Sequence, residues 1–266
     1  MTSIETILLG IIQGLTEFLP VSSSGHLVLF QNLLGFKEPE LLLNASLHMG
    51  TLLAVCLYLR SDIRQMATEI WRKDFKGPYA SLTLWVLVGT LPTAFIGLVF
   101  KDSFETLFGS VRVVGAMLIV TGIILISIRL LPSVTKRISR EYGTRKRVGL
   151  LTALVVGTIQ GLAIIPGISR SGSTIVCGLF CGLDRDMAFR FSFLLSVPAI
   201  VGALVIEFSP EAITRTGIVP LLFGFITSAI VGFLSLKLLM SIVRKGLLYY
   251  FAPYCWIVGL LIILFV

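Results

Sequence analysis

Residues 10–26 read GIIQGLTEFLPVSSSGH, a polar cluster set inside strongly apolar sequence. Gln13, Thr16, Glu17, Ser22, Ser23, Ser24 and His26 fall within fourteen positions. The cluster recurs once. Residues 157–173 read GTIQGLAIIPGISRSGS and, at an offset of 147 without a gap, repeat Gly10, Ile12, Gln13, Gly14, Leu15, Ser22, Ser24 and Gly25. The copies differ in their chemistry: Glu17, Ser23 and His26 stand opposite Ile164, Arg170 and Ser173. A duplicated scaffold carrying complementary groups is therefore expected.

Composition says what surrounds that scaffold. Of 266 residues, 56% are hydrophobic and 14% charged, and the mean hydropathy is +0.97. A soluble domain of this size exposes far more charge, so the chain belongs in a lipid bilayer. The net charge of +8 would serve a nucleic acid only as a contiguous basic face. Here the basic residues sit in short loops, so no nucleic-acid partner is expected. No Lys or Arg precedes Lys37, so a signal peptide with a basic n-region is not expected either. Cys56, Cys177, Cys181 and Cys255 all lie in apolar segments and read as small core residues, not as metal ligands.

Segments 4–19 and 26–36 are apolar but short, with Pro20 and the serine run between them. Crossing the hydrocarbon core takes about 20 helical residues, so neither arm spans alone. A re-entrant hairpin over 4–36 fits better, since non-helical backbone is tolerated at membrane depth where protein surrounds it. Spans at 41–59, 79–100 and 111–130 follow, completing a first repeat, 1–131. After a basic linker, 132–147, the pattern restarts in a second repeat, 148–266. Its hairpin, 148–183, folds around Pro166 and Gly167, and its spans are 187–206, 216–237 and 248–266. The expected fold class is an all-α polytopic membrane protein, an inverted-topology repeat whose halves each hold one re-entrant helical hairpin plus three transmembrane helices. Inversion follows from parity, because three spans return the chain on the opposite side. The basic residues agree. With segments 60–78, 129–147, 184–190 and 237–247 in the cytoplasm, 17 of the 22 Lys and Arg lie inside, leaving Lys37, Lys101, Arg112 and Arg215 outside and Arg170 within the membrane. Both termini are then outside, and the first hairpin opens to the outer face.

Two hairpins entering from opposite faces bring their tips together. Gln13 and Glu17, four apart, share a helix face. Ser22 to Ser24 precede one inner arm and Ser169, Ser171 and Gly172 open the other, where serine caps a helix and bared N–H groups with the positive dipole end receive an anion. Arg170 is the sharpest residue, because a guanidinium at membrane depth is costly unless paired and its planar fork matches phosphate. Its plain structural reading is an ion pair with Glu17. His26 reads as acid–base group or as packing histidine, and for His48, inside a span, the structural reading is favoured over one facing the site. Ser, His, Glu and Arg between two helix N-termini suit phosphoryl transfer. Serine attack with His26 as base, direct His26 attack and attack by a metal-bound water all remain open.

QGLTEFLPVSSSGH at 13–26 and PGISRSGST at 166–174 resemble the two signature motifs of the undecaprenyl-pyrophosphate phosphatase family, known also for bacitracin resistance, and the similarity extends to FSFLLSVPAI at 191–200. The resemblance implies an enzyme of the inner bacterial membrane that dephosphorylates a polyprenyl diphosphate to recycle the lipid carrier of cell-wall synthesis, its active site open to the outer face. It implies catalytic roles for Glu17, Ser23, His26 and Arg170, with Arg170 on phosphate. Substrate contacts are expected from Gln13, Ser22, Ser24, Gly25, Ser169, Ser171, Gly172 and Thr174. It further implies a divalent cation, Mg or Ca, with Glu17 as its ligand. Gln13 stands where many relatives carry a second acid, which leaves one carboxylate in the stretch. Ser23 as nucleophile, His26 as its proton acceptor and Glu17 orienting His26 or a cation is the favoured scheme. The rival is a secondary transporter or flippase for a lipid-linked or small anion, since broken helices in inverted repeats also build those. A homodimer packed on the small-residue face Gly115–Gly122 is a further expectation.

Overall fold

The computed structural model describes residues 3–35, 41–130, 147–207 and 217–265. Of the expected linker, 132–146 lies outside the described residues, as do Lys37 and Arg215. The described elements are helices. Two short apolar ones, α1 (Ser3–Thr16) and α2 (Ser23–Leu33), form the first hairpin. A bent pair, α3 (Leu41–Tyr58) and α4 (Arg60–Trp71), turns by 73° and is followed by α5 (Pro78–Val99). A second bent pair, α6 (Lys101–Phe108) and α7 (Val111–Ser127), turns by 102°. The second hairpin is α8 (Leu150–Leu162) and α9 (Arg170–Phe180). Then come α10 (Arg185–Glu207), α11 (Ile218–Lys245) and, after a 3₁₀ turn at Leu248–Phe251, α12 (Ala252–Phe265).

Among the described residues, four helical segments are long and apolar enough to cross a membrane, six if each bent pair counts once, so the chain is a multi-pass membrane protein. Their outward faces are apolar. Along α5, Leu84, Leu87, Leu91, Phe95 and Leu98 repeat at helical spacing and are each more than half exposed, the reverse of a soluble helix. Two boundaries differ from expectation for clear reasons. Segment 60–78 holds helix α4, whose Arg60, Asp62, Arg64 and Glu69 suit an interface and not hydrocarbon. The span expected to end at 237 continues to Lys245, because Lys237 is exposed and its long stem carries the charge along the helix surface without breaking the backbone. Gly246, at φ 73°, stops it in the left-handed conformation that glycine adopts freely.

The packing is reciprocal between the two sequence halves. Helix α1 lies along α11, which also lies along α3; in the other half α8 lies along α5, which also contacts α10. Helices α7 and α12 pair with each other. Between α8 and α5 the backbones touch: a Cβ at Gly157 would collide with the Gly89 carbonyl. The Gly115–Gly122 face, expected to receive a second copy, is filled within the chain, since Gly115 packs on Gly259 and Gly122 on the Trp256 indole. The largest core lies beneath the hairpin tips, where Phe18 meets Phe193 edge to face at 5.5 Å and Phe193 meets Phe189 at 4.7 Å.

Candidate active site

Each hairpin turns through a serine-capped helix start, and the two starts face each other. Ser22 caps α2, accepting from Gly25 N–H at 3.3 Å; Ser169 caps α9, accepting from Gly172 N–H at 3.1 Å. Ser22 holds φ 67°, a conformation uncommon outside glycine, and its hydroxyl also accepts from Gly167 N–H on the other tip at 3.1 Å. Gly167, at φ 98°, carries no Cβ because one would run into the Val114 carbonyl and sit 2.6 Å from Met117 Cβ. Thr121 of α7 holds the same tip, donating to Gly167 O at 2.8 Å and accepting from Ser169 N–H at 3.0 Å. A Cβ on Gly25 would press on Val114 and Gly167, and one on Gly172 would press on Pro20 at 2.9 Å. The tips therefore touch through glycine on both sides.

Glu17 is the hub. It is 7% exposed, one residue past the end of α1, and both its oxygens are engaged. Oε1 accepts from Arg170 Nη2 across the tips. Oε2 accepts from Ser23 Oγ at 2.5 Å and from Gln13 Nε2 at 3.1 Å. His48 of α3 lies on the same oxygen, its Nε2 3.8 Å away, with Nδ1–H donated to Asn44 O at 2.7 Å. Arg170 is the first residue of α9, its guanidinium 5.9 Å from the Phe193 ring, and its Nη1 is buried with no partner among the described residues. Breaking a buried pair such as Glu17–Arg170 costs about 3–5 kcal/mol, because it strands the remaining charge.

His26 is placed differently from expectation. Nδ1 meets Ser22 O at 2.8 Å and Nε2 meets the Tyr254 hydroxyl of α12 at 2.7 Å. A carbonyl only accepts, so Nδ1 carries the proton and neutral His26 presents its Nε2 lone pair to the Tyr254 O–H. Both ring nitrogens are thus occupied. The acceptor standing at Ser23 is Glu17, not His26, and His26 is oriented by Ser22 and Tyr254, not by Glu17.

The residues expected to touch substrate divide into two groups. Ser23 and Ser24 are half-buried in the first turn of α2. Ser22, Gly25, Ser169 and Gly172 build the tip-to-tip contact. Ser171 is buried beside Ser169 at 3.2 Å, and Thr174 is tied to Arg170 O at 2.8 Å and to Ser192 at 2.5 Å. Gln13 is fully buried, its Oε1 unpartnered among the described residues. Two residues outside the expected set join the site: His48, for which a structural role is favoured on sequence grounds, and Tyr254. A histidine four positions from Asn44 within a span was the only available sign of the first, and the second has none. None of the four cysteines is in a disulfide among the described residues; Cys255 is buried and Cys56, Cys177 and Cys181 are half-buried.

Membrane-length helices around two short hairpins, whose tips bring together an Arg–Glu pair, a serine and a histidine, define a polytopic membrane protein with a buried polar site. The family described as bacitracin resistance protein BacA matches residues 6–261. A relative from Desulfatibacillum aliphaticivorans, named undecaprenyl-diphosphatase, is 49% identical over 271 residues, 96% of each chain. Relatives of the same name from Halothermothrix orenii and Methanosphaera stadtmanae are 46% and 40% identical, covering 99% and 98% of this chain and 98% and 97% of their own. The chain belongs to the BacA family.

Proposed function

We propose that this protein is an integral membrane phosphatase that hydrolyses undecaprenyl diphosphate to undecaprenyl phosphate and inorganic phosphate. It thereby recycles the lipid carrier for cell-wall synthesis and confers resistance to bacitracin. The observation that carries the reading is Arg170 Nη1, a buried guanidinium nitrogen with no partner among the described residues, beside a serine hydroxyl already donated to a carboxylate. An unmet cationic donor next to an activated hydroxyl is a phosphate site with a nucleophile in it.

The terminal phosphate binds against Arg170 and the first-turn N–H groups of α2 and α9, which have no intrahelical acceptor. Ser23 Oγ attacks its phosphorus as the hydroxyl proton passes to Glu17. The bond to the bridging oxygen breaks, and undecaprenyl phosphate leaves. Water then attacks the phosphoserine, releasing inorganic phosphate and restoring the hydroxyl, with His26 as the second acid–base group. Arg170 and the two helix N-termini stabilise the charge on the transferring group in both steps. The prenyl tail lies among helices whose outward faces are apolar.

A divalent cation, Mg or Ca, is compatible with this donor set. Gln13 Oε1 is a buried oxygen unpartnered among the described residues, and the same amide lies against the Glu17 carboxylate. These oxygen donors suit a cation that keeps waters and takes phosphate oxygens, even though no cluster of three His, Cys, Asp or Glu forms among the described residues. Such a cation, when bound, would neutralise charge on the diphosphate.

In this reading the enzyme sits in the bacterial inner membrane with both termini outside. The two halves are inverted repeats, 1–131 and 148–266, and the site opens to the outer face. The test is a trapped phosphoenzyme from a labelled prenyl diphosphate. Acid-stable label, lost in Ser23→Ala, is the expected result. Acid-labile label lost only in His26→Ala would transfer the nucleophile's role to His26, whose Nδ1–H is already fixed for attack through Nε2. Wild-type protein that releases no phosphate in detergent micelles, where no gradient exists, would sink the phosphatase reading in favour of transport.

A further inference from the structure

His26 is 4% exposed and in contact with two partners of unlike chemistry. The Ser22 carbonyl accepts only, so it holds Nδ1–H in every protonation state. The Tyr254 hydroxyl both donates and accepts, so it alone follows a change at Nε2. With neutral His26, Tyr254 O–H donates to Nε2; with the imidazolium, Nε2–H donates back to Tyr254 Oη. The two rings lie nearly parallel, 8° apart with centroids 5.8 Å apart, and Tyr254 itself is 43% exposed on α12. Tyr254 therefore stands between a buried imidazole and the surface of the protein.

We propose that Tyr254 is a positioning residue that relays protons to and from His26. The proposal rests on His26 changing protonation during turnover, as in the function above. When His26 takes a proton, the Tyr254 hydroxyl hydrogen passes to Nε2 as Oη takes the excess proton of a hydronium ion on its other side, which is left as water. The reverse transfer returns the phenol and the neutral imidazole, so no tyrosinate accumulates and no charge is created beyond the imidazolium. No other residue makes a hydrogen bond to Nε2 among those described. Tyr254 is thus the hydrogen-bond partner, among the described residues, through which a proton can reach Nε2.

The chain contains two histidines, which makes the proposal directly measurable. Ring-¹⁵N-histidine protein gives two imidazole spin systems, assigned with His48→Gln. In the wild type His26 should show a protonated Nδ1 and an Nε2 shifted as a hydrogen-bond acceptor. Tyr254→Phe should move the Nε2 resonance to that of an unbonded pyridine-type nitrogen while Nδ1 keeps its proton. On turnover, Tyr254→Phe should lower kcat about ten- to hundredfold with KM within about twofold, and should reduce the solvent deuterium isotope effect by removing one proton in flight. Difluorotyrosine at 254, which retains ring and hydroxyl, should restore most of kcat and keeps the test open if the Phe variant folds poorly. An Nε2 resonance identical in wild type and Tyr254→Phe, or an unchanged kcat and isotope effect, overturns the relay. The NMR arm needs no phosphatase activity, so failure of the relay is distinguishable from failure of the proposed function.

Discussion

Gly167→Ala tests whether contact between the hairpin tips makes the site. Two costs follow from the geometry. Gly167 sits at φ 98°, and moving an L-residue into a positive-φ conformation costs about 1–2 kcal/mol. The new methyl would also strike the Val114 carbonyl and lie 2.6 Å from Met117 Cβ, both on α7. Overpacking of this kind costs about 1–3 kcal/mol, and backbone yields less readily than a flexible side chain. The sum is about 2–5 kcal/mol, or about 4–20 °C in melting temperature for a chain of this length. The functional loss should be larger in proportion. Relief of the clash pushes the second tip off α7, stretching Gly167 N–H from Ser22 Oγ and moving Arg170, three residues on, relative to Glu17. A displacement near 1 Å is worth about 10²-fold in rate. The assay pairs a thermal melt in detergent with phosphate release per folded molecule, and uses Gly202→Ala as the control. At Gly202, in the body of α10, an added Cβ meets nothing within 4 Å among the described residues. That variant should melt no lower than wild type, because alanine favours helix by up to about 1 kcal/mol. If Gly167→Ala matches wild type in melting and turnover, the tips do not depend on each other and the account of the site is wrong.

Arg170→Lys keeps the charge but loses the fork that holds Glu17 with one nitrogen and leaves the other for phosphate; turnover should fall about 10²–10³-fold with the fold retained, as phosphate release and melting would show. Asp62→Asn removes the charge of buried Asp62 from its pair with half-buried Arg190, which also bonds the Tyr79 hydroxyl at 3.3 Å, and should cost about 1.5–3 kcal/mol in stability. Its turnover per folded molecule should stay near wild type, because α4 supplies no residue to the tips; a selective loss of turnover would assign the pair a part in the chemistry.

The hairpins were legible because their signals are local. Pro20 with its serine run, and Pro166–Gly167 with its own, interrupt apolar segments too short to span, and the repeat at constant offset marks them as equivalent. Serine caps and the Arg170–Glu17 pairing follow from the same stretches. What could not be read is set by packing between elements distant in sequence. Tyr254 reaches His26 across 228 positions, and nothing around PYCW marks its hydroxyl as directed at a histidine. His48 gave only its type and its place in a span, which suit a packing residue equally well. Ser22 and Ser23 are chemically identical neighbours. One joins the tips and the other meets the carboxylate, and only the positive φ at Ser22 separates them. Alternation of apolar and basic sequence likewise could not show that α11 would carry Lys237 on its surface and continue for two more turns.

The reciprocal packing of the halves has a consequence for synthesis. Helix α1 is finished within the first 16 residues, yet the surface it lies along, α11, begins at residue 218. At about 5–20 residues per second, the first hairpin is on the ribosome's far side for about 10–40 s before its partner exists. For most of that interval Gln13 and Glu17 lack Arg170, and throughout it they lack a closed protein wall. A half-made chain is thus a membrane guest with an open polar seam, exposed to chaperones and proteases of the bilayer. The last fifth of the protein, beginning with α11, acts as the clasp that ends this exposure.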